Sequence, residues 1–295
     1  MLADVFENGE SIRKYCLQNQ ITIAEAMQRR EEHLSERSRE EIRAEMYKNL
    51  VVMRESVRKG LSERVESVSG LSGGEAMRLF KYGKLNPFSG TNACRAAASA
   101  MAVVEVNASM GCIVAAPTAG ASGILPGVLI ESAHERGWTD DQLVDALFTA
   151  GAIGLIFAKN ATISGAGGGC QAETGVAAAM AAAALVEISG GAAVQALDAA
   201  AMAIKNVLGL VCDPVAGLVE CPCIKRNALG AVNAMICADM ALSGVTSLIP
   251  FDEVVATMYQ VGQDIRPEYR ETAKGGLAVT PTGQKVAARL KRLQG

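Results

Sequence analysis

Residues 175–186 are almost all Ala, Val and Met and carry no polar side chain. They read as one helix, broken by Ser189-Gly190-Gly191. Side chains this small fill a core only when backbones approach closely, as between tightly packed helices. The rest of the 295-residue chain agrees: half its residues are apolar but only 4% are aromatic. No run of alternating strands and no fixed-period repeat is visible. The expected fold class is therefore all-α, or mostly helical.

Charge divides the chain. Residues 1–70 hold 25 of its 59 charged side chains. This predicts a solvated N-terminal helical segment (1–70) packed on a helical catalytic domain (71–295). Thr22-Ile23-Ala24-Glu25 fits a capping box. Ile42, Met46, Leu50, Met53 and Val57 form one helical stripe, and Gly60 is a plausible stop. Further helices are expected over 93–107, from near Ile124, from Thr139 to about Ala158, over 193–208, 227–243 and 251–262, and over 284–293. Met110 to Ile130 is uncharged and about as long as a membrane span. Its prolines and glycines make it a buried loop and a helix start instead.

Net charge is −3, with no Lys/Arg cluster. That leaves no electrostatic footprint for nucleic acid or anionic membrane. The N-terminus lacks the basic, apolar, small-residue series of a signal peptide. The expected location is cytoplasmic, where eight cysteines are reduced thiols or metal ligands rather than a disulfide framework.

Four of those cysteines lie in one stretch, Asn160 to Asn227, each within two residues of Gly, Pro or another Cys. Ser164-Gly165-Ala166-Gly167-Gly168-Gly169-Cys170 opens it, Cys212-Asp213-Pro214 follows, and Cys221-Pro222-Cys223 closes it. Such flanks place thiols on turns, where backbone comes near a ligand. Zinc fits poorly: there is no C-x-x-C and no nearby His. An iron–sulfur cluster tolerates long spacings and needs thiolates. Buried structural thiols are the bland alternative, and the preferred one for Cys94 and Cys112. The glycine loop resembles the phosphate loop of pyridoxal phosphate lyases, with Lys159 as a Schiff-base lysine, but that family needs an α/β alternation absent here. A second loop, Ala116-Pro117-Thr118-Ala119-Gly120-Ala121-Ser122-Gly123, feeds a helix start. It is either an anion-binding loop or an ordinary tight connection.

Taken together, the 116–124 loop, Asn160 to Cys170 with Glu173, Cys212 to Gly217, Pro222 to Asn227 and Lys274-Gly275-Gly276-Leu277-Ala278 resemble the iron–sulfur-dependent L-serine dehydratases of bacteria. The match runs from about residue 70 onward, with the motifs in order. The resemblance implies a mostly helical catalytic domain carrying a [4Fe-4S] cluster on Cys170, Cys212 and Cys223. Cys221 has no counterpart in the motif. It also implies the α chain of the two-chain form, with a separate β chain as partner.

The implied reaction converts L-serine to pyruvate and ammonia by β-elimination, with the cluster's open iron as Lewis acid. A base must take the Cα proton. His33 and His134 lie outside the motifs, so Lys159, Ser164 or a β-chain group is expected to serve. Thr118, Ser122, Asn160 and Arg226 are candidate substrate contacts, being polar groups in apolar, glycine-rich surroundings. Each has a simpler alternative, as a cap or turn residue or, for Arg226, as a partner of Asp213 or Glu220. Two other readings stay open: a related cysteine desulfidase-type lyase, and a non-catalytic helical subunit with structural thiols or zinc.

Overall fold

The computed structural model describes residues 6–294 and is helical throughout. The helices are α1 (Gly9–Asn19), α2 (Ile23–Ser35), α3 (Arg39–Ser62), α4 (Glu75–Tyr82), α5 (Thr91–Ala108), α6 (Ile124–Arg136), α7 (Asp140–Asn160), α8 (the single turn Gly165–Gly168), α9 (Val176–Ile188), α10 (Ala193–Lys205), α11 (Cys223–Leu242), α12 (Phe251–Asp264) and α13 (Pro281–Gln294). Among the described residues β pairing is limited to two isolated bridges, Glu66 with Gly73 and Cys212 with Arg270. The all-α expectation holds.

Local sequence sets most helix starts. Thr22 caps α2 by accepting from the Glu25 N–H at 3.1 Å. The predicted box is not closed, because the Glu25 carboxylate pairs with Arg29 and Arg39 instead. True capping boxes form at Ser38/Glu41 and Thr139/Gln142, which satisfies otherwise orphaned N–H groups at α3 and α7.

The apolar run forms α9, and every residue from Val176 to Val186 is buried. It packs against α6, α7, α10 and α11. With alanine at most contact positions, neighbouring helices sit on its backbone. A larger side chain there has nowhere to go. Ala182→Leu is expected to lower stability by about 1–3 kcal/mol through overpacking. Val194→Leu, on the exposed face of α10, is expected to leave it nearly unchanged. Urea denaturation of both variants checks this.

Two expectations are corrected. Gly60 does not stop α3, which runs on to Ser62. A Cβ at Gly60 would lie 2.6 Å from the Ala102 carbonyl oxygen, so this glycine lets α3 cross α5 at close range. The helix expected from Asn227 begins four residues earlier, at Cys223. The Met110–Ile130 segment is a loop leading into α6, as expected. There, a Cβ at Gly127 would lie 2.6 Å from the Ala100 nitrogen. By length and composition α7 could cross a membrane, but most of it is buried inside the bundle.

Candidate metal centre

Three chain segments meet at one end of the bundle. Gly169, at φ +76°, turns the chain out of α8 and into a helical run that starts at Cys170 and leads into α9. Cys212 lies in the connection after α10. Its N–H donates to the Tyr269 carbonyl at 2.7 Å, and its carbonyl accepts from the Glu271 N–H at 2.8 Å. Cys223 is the first residue of α11. Cys170 and Cys223 therefore stand at helix starts, where backbone N–H groups favour thiolate.

The ligand atoms of Cys170, Glu173 and Cys212 lie within 4.8 Å of one another, and all three residues are buried. Cys223 is also buried, whereas Cys221 is exposed. None of the eight cysteines is in a disulfide. The thiols share one ionisation. The Cys212 S–H beside Cys170 holds the Cys170 thiol below its ordinary range, against burial and with help from Arg226. That same partnership, with burial, pushes the Cys212 thiol up. Burial, together with the charges of Cys170 and Glu173, pushes Cys223 up to about 12. The Thr174 hydroxyl donates to the Cys170 sulfur at 3.8 Å.

Buried thiols this close cannot all ionise on their own, but a thiophilic cation would take their protons' place. The pocket also has a bare wall. A Cβ at Gly165 would sit 2.8 Å from the Cys212 sulfur and 3.3 Å from carboxylate oxygens of both Glu173 and Glu271. The donor set thus fits a thiolate-bound metal group.

Glu173 is a site residue for which sequence reasoning found no role. Its carboxyl is raised from the usual range, mainly by burial, and it accepts a short hydrogen bond from the Thr118 hydroxyl. The available signal was positional, since Glu173 is the one charged residue between Lys159 and Glu187.

The other sequence-predicted residues divide. Thr118 is tied to the site through Glu173. Ser122 is buried and donates to the Ala119 carbonyl at 2.7 Å, inside its own loop. Ser164 caps α8 by accepting from the Gly167 N–H at 3.0 Å. Lys159 and Asn160 end α7 and turn to Glu7: the ammonium lies 3.4 Å from its carboxylate, and the Asn160 amide donates to its carbonyl at 2.7 Å. Arg226 donates to the Val211 carbonyl at 2.8 Å and pairs with Asp213 at 2.9 Å. Asn227 fastens two parts of the site, donating to the Gly120 carbonyl at 2.7 Å and the Cys223 carbonyl at 2.9 Å.

Comparison with known proteins places this helical, thiol-bearing chain among the lyases. Residues 18–278 match the family described as "Serine dehydratase alpha chain", and the chain belongs to that family. It is 49% identical to the "Probable L-serine dehydratase, alpha chain" of Bacillus subtilis, over 97% of this chain and 95% of that protein. It is 46% identical to the "L-serine dehydratase, alpha chain" of Peptoniphilus asaccharolyticus, over 96% of this chain and 97% of that one. The "L-serine dehydratase" of Streptomyces coelicolor is 50% identical over 61% of this chain and only 40% of its own length.

Proposed function

We propose that this chain is the catalytic α chain of a cytoplasmic L-serine ammonia-lyase, forming pyruvate and ammonia, and that Cys170, Cys212 and Cys223 hold a [4Fe-4S] cluster in it. The observation that carries the reading is the buried meeting of Cys170, Cys212 and Glu173 in a member of this family. When bound, such a cluster supplies Lewis acidity that makes the substrate's hydroxyl a better leaving group.

The chain's own residues supply confinement and order. Asn227 holds the 118–123 loop against the start of α11, so the thiol of Cys223 and the Thr118 hydroxyl keep a fixed relation. The Thr118 hydroxyl donates its hydrogen bond to a Glu173 oxygen. Thr118 and Ser122 remain our candidates for substrate contact, with Asn160 and Arg226 committed to Glu7 and Asp213 as described. Loss of the Cα proton and of hydroxide converts L-serine to aminoacrylate and water. Aminoacrylate tautomerises to the imine, and a water molecule hydrolyses this to pyruvate and ammonia.

For the proton acceptor we favour a β-chain group over Lys159 or Ser164. Lys159 is paired with Glu7 and Ser164 with the α8 backbone. His33 and His134 lie in the last turns of α2 and α6. The partner is also the one implied by the words "alpha chain" in the relatives' names.

The test is anaerobic purification with and without the β chain. Iron, acid-labile sulfide and pyruvate release from L-serine and L-cysteine are then measured. Brown protein that forms pyruvate from L-serine, and loses both colour and activity in air, is expected. Colourless, metal-free protein with full activity would sink the cluster reading, and preference for L-cysteine would sink the substrate reading.

A further inference from the structure

We infer that Glu271 receives the α-ammonium group of the amino-acid substrate, an inference that rests on the L-serine reading above and adds its specificity determinant. Glu271 lies far along the chain from the thiols, in the loop after α12. Its backbone is nonetheless locked to the site, because its N–H donates to the Cys212 carbonyl while Cys212 donates to Tyr269. The φ of Glu271 is +63°. Non-glycine residues rarely adopt that conformation, and it persists where the surroundings impose it, often at functional positions.

The conformation brings the carboxylate to the bare backbone of Gly165. A Cβ on Gly165 would lie 3.3 Å from a Glu271 oxygen, 3.3 Å from a Glu173 oxygen and 2.8 Å from the Cys212 sulfur, so both carboxylates and the thiol face the same bare stretch of backbone. The two carboxylates are not equivalent. Glu173 is buried and engaged by Thr118. Glu271 is exposed, and among the described residues its side chain has no hydrogen-bond or ion-pair partner. Arg226 is engaged by Asp213 and by the Cys170 thiol. The mouth of the site is thus left with an unpaired negative charge.

An α-amino acid brings one positive group, its ammonium, and a charge-assisted hydrogen bond to a carboxylate is its natural partner. The substrate's hydroxyl and carboxylate have no use for Glu271. Glu271 would therefore distinguish amino acids from hydroxy acids without touching the bond that breaks. Gly165 is required beside it, since a side chain there would fill the space between the two carboxylates and the thiol.

The experiment compares wild-type, Glu271→Gln and Glu271→Asp holoenzymes, purified anaerobically, with glycerate as a competitive inhibitor that has serine's hydroxyl and carboxylate but no ammonium. Expected for Glu271→Gln is a KM for L-serine raised about 10–100-fold. Its kcat should change far less, its iron and sulfide content should match wild type, and inhibition by glycerate should be unweakened. Glu271→Asp should recover part of the KM. An unchanged KM in Glu271→Gln, an equal weakening of glycerate, or loss of iron would overturn the assignment. In each case wild-type conversion of L-serine leaves the proposed function standing. A wild-type holoenzyme that forms no pyruvate from L-serine overturns that function, and this inference with it.

Discussion

Cys170→Ser, Cys212→Ser and Cys223→Ser are each expected to give folded protein that holds little or no iron and has no activity, while Cys221→Ser and Cys112→Ser keep both. The distinction follows from exposure and neighbours. Cys221 faces solvent, and so does Cys112, contrary to the expectation of a buried thiol, whereas the other three are buried, Cys170 and Cys212 with ligand atoms within 4.8 Å of one another. The three are also electrically linked. Removing Cys212 takes away the S–H that holds the Cys170 thiol low, and removing Cys170 takes away the charge that pushes Cys212 and Cys223 up. A hydroxyl gives up its proton far less readily than a thiol, so serine leaves a gap in the donor set. The fold should survive, because the bundle core around α9 is packed without these side chains. Iron and sulfide analysis with circular dichroism on each variant decides the matter. Wild-type iron content in any of the three, or iron loss in Cys221→Ser, would replace the ligand set.

Glycine and proline mark the four thiols of 160–227 as lying on turns, but the proposed set Cys170, Cys212 and Cys223 comes from the resemblance to the iron–sulfur dehydratases, whose motif has no counterpart for Cys221. The fold was legible locally. An apolar run as long as 175–186 is a buried helix, and Thr22 and Thr139 sit at helix starts that the local sequence announces. What could not be read was long-range. Gly60 has the look of a helix stop, and only the approach of Ala102 explains why α3 passes through it. The start of α11 at Cys223 carries no Ser, Thr, Asp or Asn at its cap, which is Pro222, so nothing local announced it. Lys159 and Asn160 sit within a few residues of the glycine loop, yet they turn toward Glu7, more than 150 positions earlier in the chain. Glu271 has no sequence signal at all: the role inferred for this loop acid rests on its backbone hydrogen bond to Cys212.

Arg226 is where a substrate clamp and a structural ion pair compete, and it carries the second large expectation. An arginine in a cysteine motif suggests a substrate carboxylate clamp. Its side chain is 14% exposed and that of its partner Asp213 is 5% exposed. Asp213 in turn accepts from the Leu277 N–H at 2.8 Å. A Cβ at Gly276 would lie 2.3 Å from the same carboxylate, so this glycine lets the C-terminal loop close onto Asp213. The chain of contacts from Arg226 through Asp213 to Leu277 therefore clamps that loop over the Cys212 segment. Arg226→Met is expected to cost about 3–5 kcal/mol, the usual penalty for leaving a buried charge without its partner. Adding Asp213→Asn should recover part of that loss, because it removes the stranded charge while its side-chain oxygen still accepts from Leu277. Urea denaturation of wild type, both single variants and the double variant measures the coupling. A purely substrate-binding arginine would instead raise KM and leave stability unchanged, and additive losses in the double variant would show that the two residues do not act as a pair.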